Sequence, residues 1–404
     1  MNSIDTVKCL MPFTDLIINV KGYSYSCPSA WTIRGNIGSL GDKNKTIMDI
    51  WNSDRIQYMR KAILENKREK VCNFKGCHIA IKNKEIHLDQ CKGNDQYNAI
   101  IEQIKQGKTK LDTAPYSIGI ATSGVCNLRC IMCDSNEKYL PNNDDLDEKL
   151  YTKLIPEILP NISILQLTGN GDVFYNKHSR KFLQTLDSSK YPSLKIKFIT
   201  NGNLFTPKMW ETIKHNNFDG INVSIDAATK ETYEKVRVNG KWDLLMNNLE
   251  LISDLKQKKV FGWFVISFVV LKSNYTEIKK FAELGIKLGC DTVLFQSNHS
   301  PTNLKENLNI TRDRKILSEV ARILEDPIFE RADVDTTLID EYRKYGKLKS
   351  NFADKLSTKI KEYVFHPIIK VCSIKTHFFL DFSEFYKNMV RPLYYNKLYG
   401  SRKH

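Results

Sequence analysis

Cys126, Cys130 and Cys133 are the residues of this chain best placed to do chemistry. They stand in the stretch Cys126-Asn127-Leu128-Arg129-Cys130-Ile131-Met132-Cys133, a C-x3-C-x2-C spacing. Three thiolates this close can ligate three irons of a four-iron cluster. Such clusters usually take four Cys ligands, so three leave one iron able to accept a small molecule. A zinc knuckle, a redox dithiol and buried structural cysteines are the competing readings, and Cys130-x-x-Cys133 alone fits one half of a zinc site. A second set, Cys9, Cys27, Cys72 and Cys77, lies nearer the N-terminus. Its ligand number suits a structural zinc ribbon and an iron–sulfur cluster equally. Cys91 is a further candidate ligand and His78 a weaker one, whereas Cys290 and Cys372 read as ordinary buried residues.

Positioning these cysteines is the task of the elements around them. From about Tyr116 to Ser297 the pattern alternates strands with helices, and the candidate strands are Ser117–Thr122, Ile162–Thr168, Leu194–Thr200, Gly220–Asp226, Trp263–Leu271 and Thr292–Ser297. Thr206-Pro207 is an N-cap followed by proline at the first helical position. Asn274 with Glu277 three residues later has the spacing of a capping box. Repeated β-α units predict a parallel sheet with helices outside, doubly wound or a barrel. Cys126 closely follows the first strand, at the strand end where a barrel places its chemistry. Upstream, Leu16–Val20 and Tyr23–Ser26 read as a hairpin turning at Gly22, and one helix is expected over Thr46–Leu64, burying Ile47, Ile50, Trp51 and Met59. Downstream, residues 312–404 start helical and end aromatic and basic, around Phe378, Phe379, Phe382, Tyr394 and Tyr395. Lys105–Lys110 is the best boundary between the first two stretches.

At 404 residues the chain has room for a barrel-sized domain and an accessory one. Asp5, Lys8 and Asp15 interrupt any secretory signal, and the longest apolar run, Phe261–Leu271, falls short of the roughly 20 residues that a membrane span takes. A cytoplasmic location is therefore expected, and ten cysteines in a reducing compartment point to metal or redox chemistry rather than disulfides. The balance of 61 Lys+Arg against 46 Asp+Glu, net +15, suits an anionic partner as readily as a merely solvated surface.

The C-x3-C-x2-C loop after the first strand of a βα series resembles the signature of the radical S-adenosylmethionine superfamily. Three further segments resemble that family in order. Thr168-Gly169-Asn170-Gly171-Asp172 closes the second strand, where the family has a Gly-Gly-Glu-like element whose backbone meets the cofactor's amino group; Asp172 replaces the usual Glu. Thr200-Asn201-Gly202 ends the third strand. Ser224-Ile225-Asp226, with Tyr233 and Arg237, resembles the fourth-strand segment whose Ser and Arg contact the cofactor's ribose or carboxylate, and Arg suits a carboxylate because its donors form a fixed fork. The resemblance implies a partial (β/α)6 TIM-like barrel, with Gly169, Asn170, Gly171, Asp172, Asn201, Ser224, Asp226 and Arg237 as cofactor-binding candidates. It also implies a 4Fe–4S cluster held by Cys126, Cys130 and Cys133. The N-terminal cysteines, with Gly35-Asn36-Ile37 and Ile47–Ser53, resemble a twitch/SPASM domain, here ahead of the barrel rather than behind it. They imply a small cysteine-rich α+β auxiliary domain, with Cys9, Cys27, Cys72 and Cys77 ligating an auxiliary iron–sulfur cluster. The expected division is residues 1–95 auxiliary, 112–300 radical core and 301–404 C-terminal extension.

The resemblance implies reductive cleavage of S-adenosylmethionine to a 5′-deoxyadenosyl radical and hydrogen abstraction from a substrate that is then oxidised, epimerised or coupled. An electron donor such as flavodoxin or ferredoxin is implied with it. Tyr175 and His299 are the candidates to face the substrate, with Gln296 and Asn298 beside them, and His299 has the ordinary pKa of a proton donor. The competing readings are an enzyme that modifies a peptide or RNA, though no RNA-binding signature stands out, and a non-catalytic zinc-binding adaptor.

Overall fold

The computed structural model describes residues 4–19, 21–27, 35–40, 45–72, 85–122, 124–133, 144–169, 171–298, 310–337 and 339–345. Asn170, Cys77, His78, His299, Cys372 and the aromatic-basic tail lie outside the described residues. Residues up to Arg343 belong to one compact unit.

A ten-stranded sheet organises that unit. Its strands are β1 (Asp15–Ile18), β2 (Tyr23–Tyr25), β3 (Gly38–Ser39), β4 (Ser117–Thr122), β5 (Ile164–Gly169), β6 (Lys195–Thr200), β7 (Phe218–Ser224), β8 (Trp263–Val270), β9 (Thr292–Ser297) and β10 (Val334–Asp335). They lie in the order β10-β9-β8-β7-β6-β5-β4-β1-β2-β3. From β4 to β9 every neighbouring pair is parallel. Helices cross between them, including Lys177–Thr185, Pro207–Ile213, Lys230–Val236, Trp242–Gln257 and Ile278–Lys287. These strands are the six-stranded β/α partial barrel that the resemblance implies, one of the two arrangements that the alternation allows.

The N-terminal segment joins this sheet. The hairpin forms, with Gly22 at φ 76 supplying its turn. β1 pairs in parallel with β4, Asp15 facing Ser117 and Ile18 facing Ile120. The helix expected over Thr46–Leu64 is two helices, Ile47–Trp51 and Asp54–Leu64. The Trp51 carbonyl, which would continue the first helix, accepts Nη2 of the buried Arg60 at 2.9 Å instead, and Asn52 turns its amide to both backbone groups of Leu111. Among the described residues Arg60 has no carboxylate partner. Its other donors go to the Pro12 and Thr109 carbonyls and to Asn52 Oδ1, and its guanidinium lies 4.3 Å from the Trp51 ring. Burial pushes it down to about 9, still protonated at neutral pH.

An aromatic cluster ties the starts of β7 and β8 to the loops that leave β5 and β6. Phe198 of β6 packs against Phe174, Phe205, Phe218 and Phe261, with ring centroids 5.3–6.2 Å apart. Phe174 and Phe205 stand two residues beyond Asp172 and Asn203 in their loops, so this apolar core fixes the loops that carry the polar site. Among the described residues no helix is long and apolar enough to cross a membrane.

Candidate active site

The cysteine loop leaves the end of β4 and is tied on two sides. Toward β5, the Asp172 N–H donates to the Val125 carbonyl at 3.1 Å. On the other side Arg129–Cys130 pairs antiparallel with Arg237–Val238, Cys130 opposite Arg237, and Ile131 N–H reaches the Val236 carbonyl at 3.0 Å. The loop closes on itself through Cys133 N–H to the Cys130 carbonyl, 3.1 Å.

Asp172 is 1% exposed and its carboxylate is fully engaged within the chain. Oδ2 accepts Thr200 Oγ1 at 2.7 Å and Asn201 N–H at 2.9 Å, and Oδ1 accepts Phe174 N–H at 3.0 Å. Burial raises this carboxyl above its ordinary value, and hydrogen bonds from Asn201, Thr200, Phe174 and Tyr175 oppose the rise. The aspartate thus staples the end of β5 to the end of β6. Gly202, at φ 79, makes the turn beyond; a Cβ there would lie 2.7 Å from Leu245 and 2.8 Å from Val223. Asn203 then donates to the Tyr233 hydroxyl at 2.7 Å and accepts Lys241 N–H at 2.8 Å.

Past β7, Asp226 has φ 62, an uncommon conformation for a residue with a Cβ. Three partners hold it there. Oδ2 accepts both Nε (2.8 Å) and Nη2 of Arg237, Oδ1 accepts Val269 N–H at 2.7 Å, and its carbonyl accepts Asn274 Nδ2 at 2.9 Å. Asn274 and Glu277 do not form the expected capping box. The Asn274 amide holds the β7 and β8 ends, with its Oδ1 on Leu271 N–H. The Glu277 carboxylate takes Ala228 N–H, Thr229 Oγ1 and Thr232 Oγ1, each at 2.6 Å. Tertiary partners outbid the local cap because three donors converge on one buried carboxylate. The helix Lys230–Val236, capped by Thr229, is thereby fixed at its start by Glu277 and at its end by the Arg237–Cys130 pairing. At the β7 end Ser224 Oγ accepts from Ser267 Oγ at 3.3 Å.

Among the described residues no three Cys, His, Asp or Glu side chains converge as they would on a single metal ion; the sulfurs of the cysteine loop have the following surroundings. Cys126 Sγ accepts Leu128 N–H at 3.4 Å and Asn201 Nδ2 at 3.6 Å. Burial pushes the free Cys126 thiol up to about 12 and raises Cys130 as well, the latter opposed by the Arg237 charge. The Cys126 thiol lies in the field of Cys130 and Cys133, and the Cys130 thiol in that of Cys133. Buried thiols that resist ionisation alone become thiolates when a metal centre supplies the compensating charge. For Arg237 itself burial works against its charge, and Asp226, Cys130 and Tyr233 more than offset this.

Of the remaining candidates, Tyr175 is 48% exposed beside Asp172, Asn298 is buried after β9, and Cys290 is buried as expected. Cys9, Cys27 and Cys72 follow the Thr6–Val7 strand, β2 and the turn Arg68–Lys70 respectively; Cys91 donates its thiol to the His87 carbonyl at 3.5 Å. Asn203, Asn274, Glu277 and Ser267 are site-supporting residues that sequence reasoning did not assign to the site. Asn203, two residues beyond Asn201 in a turn, carried the one local signal.

Residues 120–285 match the radical SAM superfamily and residues 9–78 match the SPASM iron–sulfur cluster-binding domain, together more than half of the chain. The chain belongs to the radical SAM superfamily, with a SPASM segment ahead of the barrel. The cofactors that these two domains imply are a 4Fe–4S cluster, S-adenosylmethionine and auxiliary iron–sulfur. Its relatives include the mycofactocin maturase MftC of Mycobacterium tuberculosis, 24% identical over 224 residues, 54% of this chain and 53% of that protein. Another is a probable GTP 3′,8-cyclase of Saccharolobus islandicus, 25% identical over 180 residues, 43% of this chain and 54% of that one. The chain spans about half the length of the curated relatives it matches. A solved structure of Streptococcus suis SuiB bound to S-adenosylmethionine is similar at 15% identity and a TM-score of 0.43, covering 61% of this chain and 57% of that one.

Proposed function

We propose that Cys126, Cys130 and Cys133 hold the 4Fe–4S cluster, and that Gly169-Asn170-Gly171 and Ser224 receive S-adenosylmethionine beside it. The enzyme then abstracts a hydrogen atom from an anionic substrate. The observation that carries this reading is the C-x3-C-x2-C loop at the end of β4, tied to β5 through Val125 and to Arg237 through Cys130. When bound, the cofactors supply one electron that breaks a carbon–sulfur bond and a 5′-deoxyadenosyl radical that takes the hydrogen. The chain's own part is to hold the loop rigid, with Asp172 and the Asp226–Arg237 pair as its braces, and to present substrate near Tyr175 and His299. Cys9, Cys27, Cys72 and Cys77 hold the auxiliary cluster, and a low-potential donor such as a flavodoxin or ferredoxin delivers electrons.

We assign the auxiliary cluster to residues 1–95, the radical core to 112–300 and the C-terminal extension to 301–404; β1, in the first of these, pairs with β4 of the second. The net charge of +15 supports an anionic substrate. The names of the relatives divide between a maturase and a nucleotide cyclase, and a peptide is the second reading, favoured by the maturase.

The test is anaerobic reconstitution with iron and sulfide, addition of dithionite and S-adenosylmethionine, and quantification of 5′-deoxyadenosine. The native chain is expected to form it, and a chain carrying Cys126→Ala, Cys130→Ala and Cys133→Ala is not. No product from the native chain, with zinc as its bound metal, overturns the proposal.

A further inference from the structure

Asn201 was a candidate for contact with S-adenosylmethionine, yet its side chain is engaged elsewhere. It is buried at the end of β6. Its backbone N–H is fixed on Asp172 Oδ2 at 2.9 Å, and its Oδ1 accepts the Asn203 N–H at 3.0 Å. That second bond sets the amide's orientation. With Oδ1 committed to an N–H donor, Nδ2 must face the other way, where it finds Asn127 Oδ1 at 2.8 Å and Cys126 Sγ at 3.6 Å. The flipped amide would set its oxygen against the Asn127 oxygen and the sulfur lone pairs, and its NH2 against the Asn203 N–H, losing every bond at once.

We propose that Asn201 is a positioning residue of the cluster: its amide N–H bonds the Cys126 sulfur and, through it, makes the cluster easier to reduce. The inference rests on the reading above that Cys126 is a cluster ligand. An N–H donor draws electron density from a ligating sulfur and stabilises the more negative, reduced state; such bonds are among the levers that set iron–sulfur potentials. Cys126 has a backbone donor as well, Leu128 N–H, so removing the Asn201 amide subtracts one donor and leaves the other. Asp172 extends the arrangement outward, because its carboxylate fixes the backbone from which the amide projects.

The test uses the full chain with both clusters loaded, in Asn201→Ala and Asn201→Asp forms. Aspartate keeps an acceptor for the Asn203 N–H and loses the donor to sulfur. Midpoints are read by EPR-monitored redox titration of the signal that changes on adding S-adenosylmethionine, which separates this cluster from the auxiliary one. Iron and sulfide per chain are expected to match the native protein. At a fixed potential the ratio of reduced to oxidised cluster should fall about tenfold, which is about 59 mV for a one-electron couple. Asn127→Ala removes the amide's other partner and should leave the ratio within about twofold of native, since that is a small fraction of a decade.

A native midpoint in both Asn201 variants at full iron overturns the proposal, and so does an Asn127→Ala shift as large as theirs. Loss of iron from both variants, with native circular dichroism and melting, also overturns it, making Asn201 an assembly element. A Cys126→Ala chain that keeps its full iron and the same signal would instead sink the ligand assignment itself, which separates the two failures.

Discussion

The Asp226–Arg237 pair is the brace whose removal has the most calculable consequence. Asp226 is 1% exposed and the Arg237 side chain 11%, so neither charge can turn to water when its partner is lost. Asp226→Asn keeps an oxygen for Val269 N–H and tolerates φ 62, because Asn is among the residues that adopt that conformation. What changes is the oxygen facing Arg237, which is replaced by an NH2 pointing at two donors. Breaking a buried pair from one side costs about 3–5 kcal/mol, since a charge is left uncompensated. Arg237→Met leaves the opposite charge stranded and should cost a similar amount. In the double variant neither charge is orphaned, so about 2–3 kcal/mol of the summed loss should return as coupling. Urea unfolding of the four chains, followed by tryptophan fluorescence and by hydrogen exchange at residues 126–133 and 230–238, measures the cycle. Additive losses, to within about 0.5 kcal/mol, would show that the two residues act independently and would refute the brace.

Arg60→Met should destabilise the chain by about 3–5 kcal/mol, because the Pro12, Trp51 and Thr109 carbonyls lose this donor, Asn52 Oδ1 keeps only the Leu111 N–H, and each orphaned acceptor costs about 1–3 kcal/mol before relaxation; the urea midpoint reads it. Gly202→Ala should cost about 1–3 kcal/mol from the positive φ and the contacts with Leu245 and Val223, and should lower the iron retained after reconstitution. Burial raises the Asp15 carboxyl above 3.8, against Thr14, Lys197 and Ser117. The folded chain therefore binds that proton more tightly than the unfolded one, and stability is lost as pH rises from 3.8 through the raised value. Asp15→Asn should gain stability relative to its parent across that interval and run parallel above it; a constant difference in urea midpoint would refute this.

Much of the barrel was legible because its signals are local. Ser117–Thr122 and Thr292–Ser297 form strands at the bounds that their alternation marks, and Thr206 caps its helix through Met209 N–H. What sequence could not carry was the choice among partners. The Asn274–Glu277 spacing satisfies a local cap, yet the donors that win arrive from Ala228, Thr229 and Thr232, some 45 residues away in the chain. The resemblance gives Arg237 to the cofactor's ribose or carboxylate, and within the chain the carboxylate it meets is Asp226, eleven residues earlier. The hairpin was readable from its turn, but nothing within it announces that β1 will lie beside β4, about a hundred residues later.

That pairing bears on what an auxiliary cluster can do. β1 runs parallel to β4, and β2 runs back along β1 with Tyr25 opposite Ile17 and Ser24 opposite Ile18. Past Tyr25 the chain therefore heads toward the level of Asp15 and Ser117, where β4 begins, so Cys27 belongs to the strand-starting end of the sheet. Cys126 leaves from beyond Thr122, at the opposite end. Ser117 to Thr122 spans five steps, roughly 17 Å at about 3.3 Å per residue. On the proposed ligand assignments the two clusters are separated by about that length, too far for one substrate atom to touch both. That separation predicts electron exchange across the sheet as the auxiliary cluster's role, rather than ligation of the reacting group. A pulsed-EPR separation of roughly 15 Å or more between the two reduced clusters is expected from this strand length. Coupling at contact range would mean that the cysteines converge on one end of the sheet, against the register of β1 and β2.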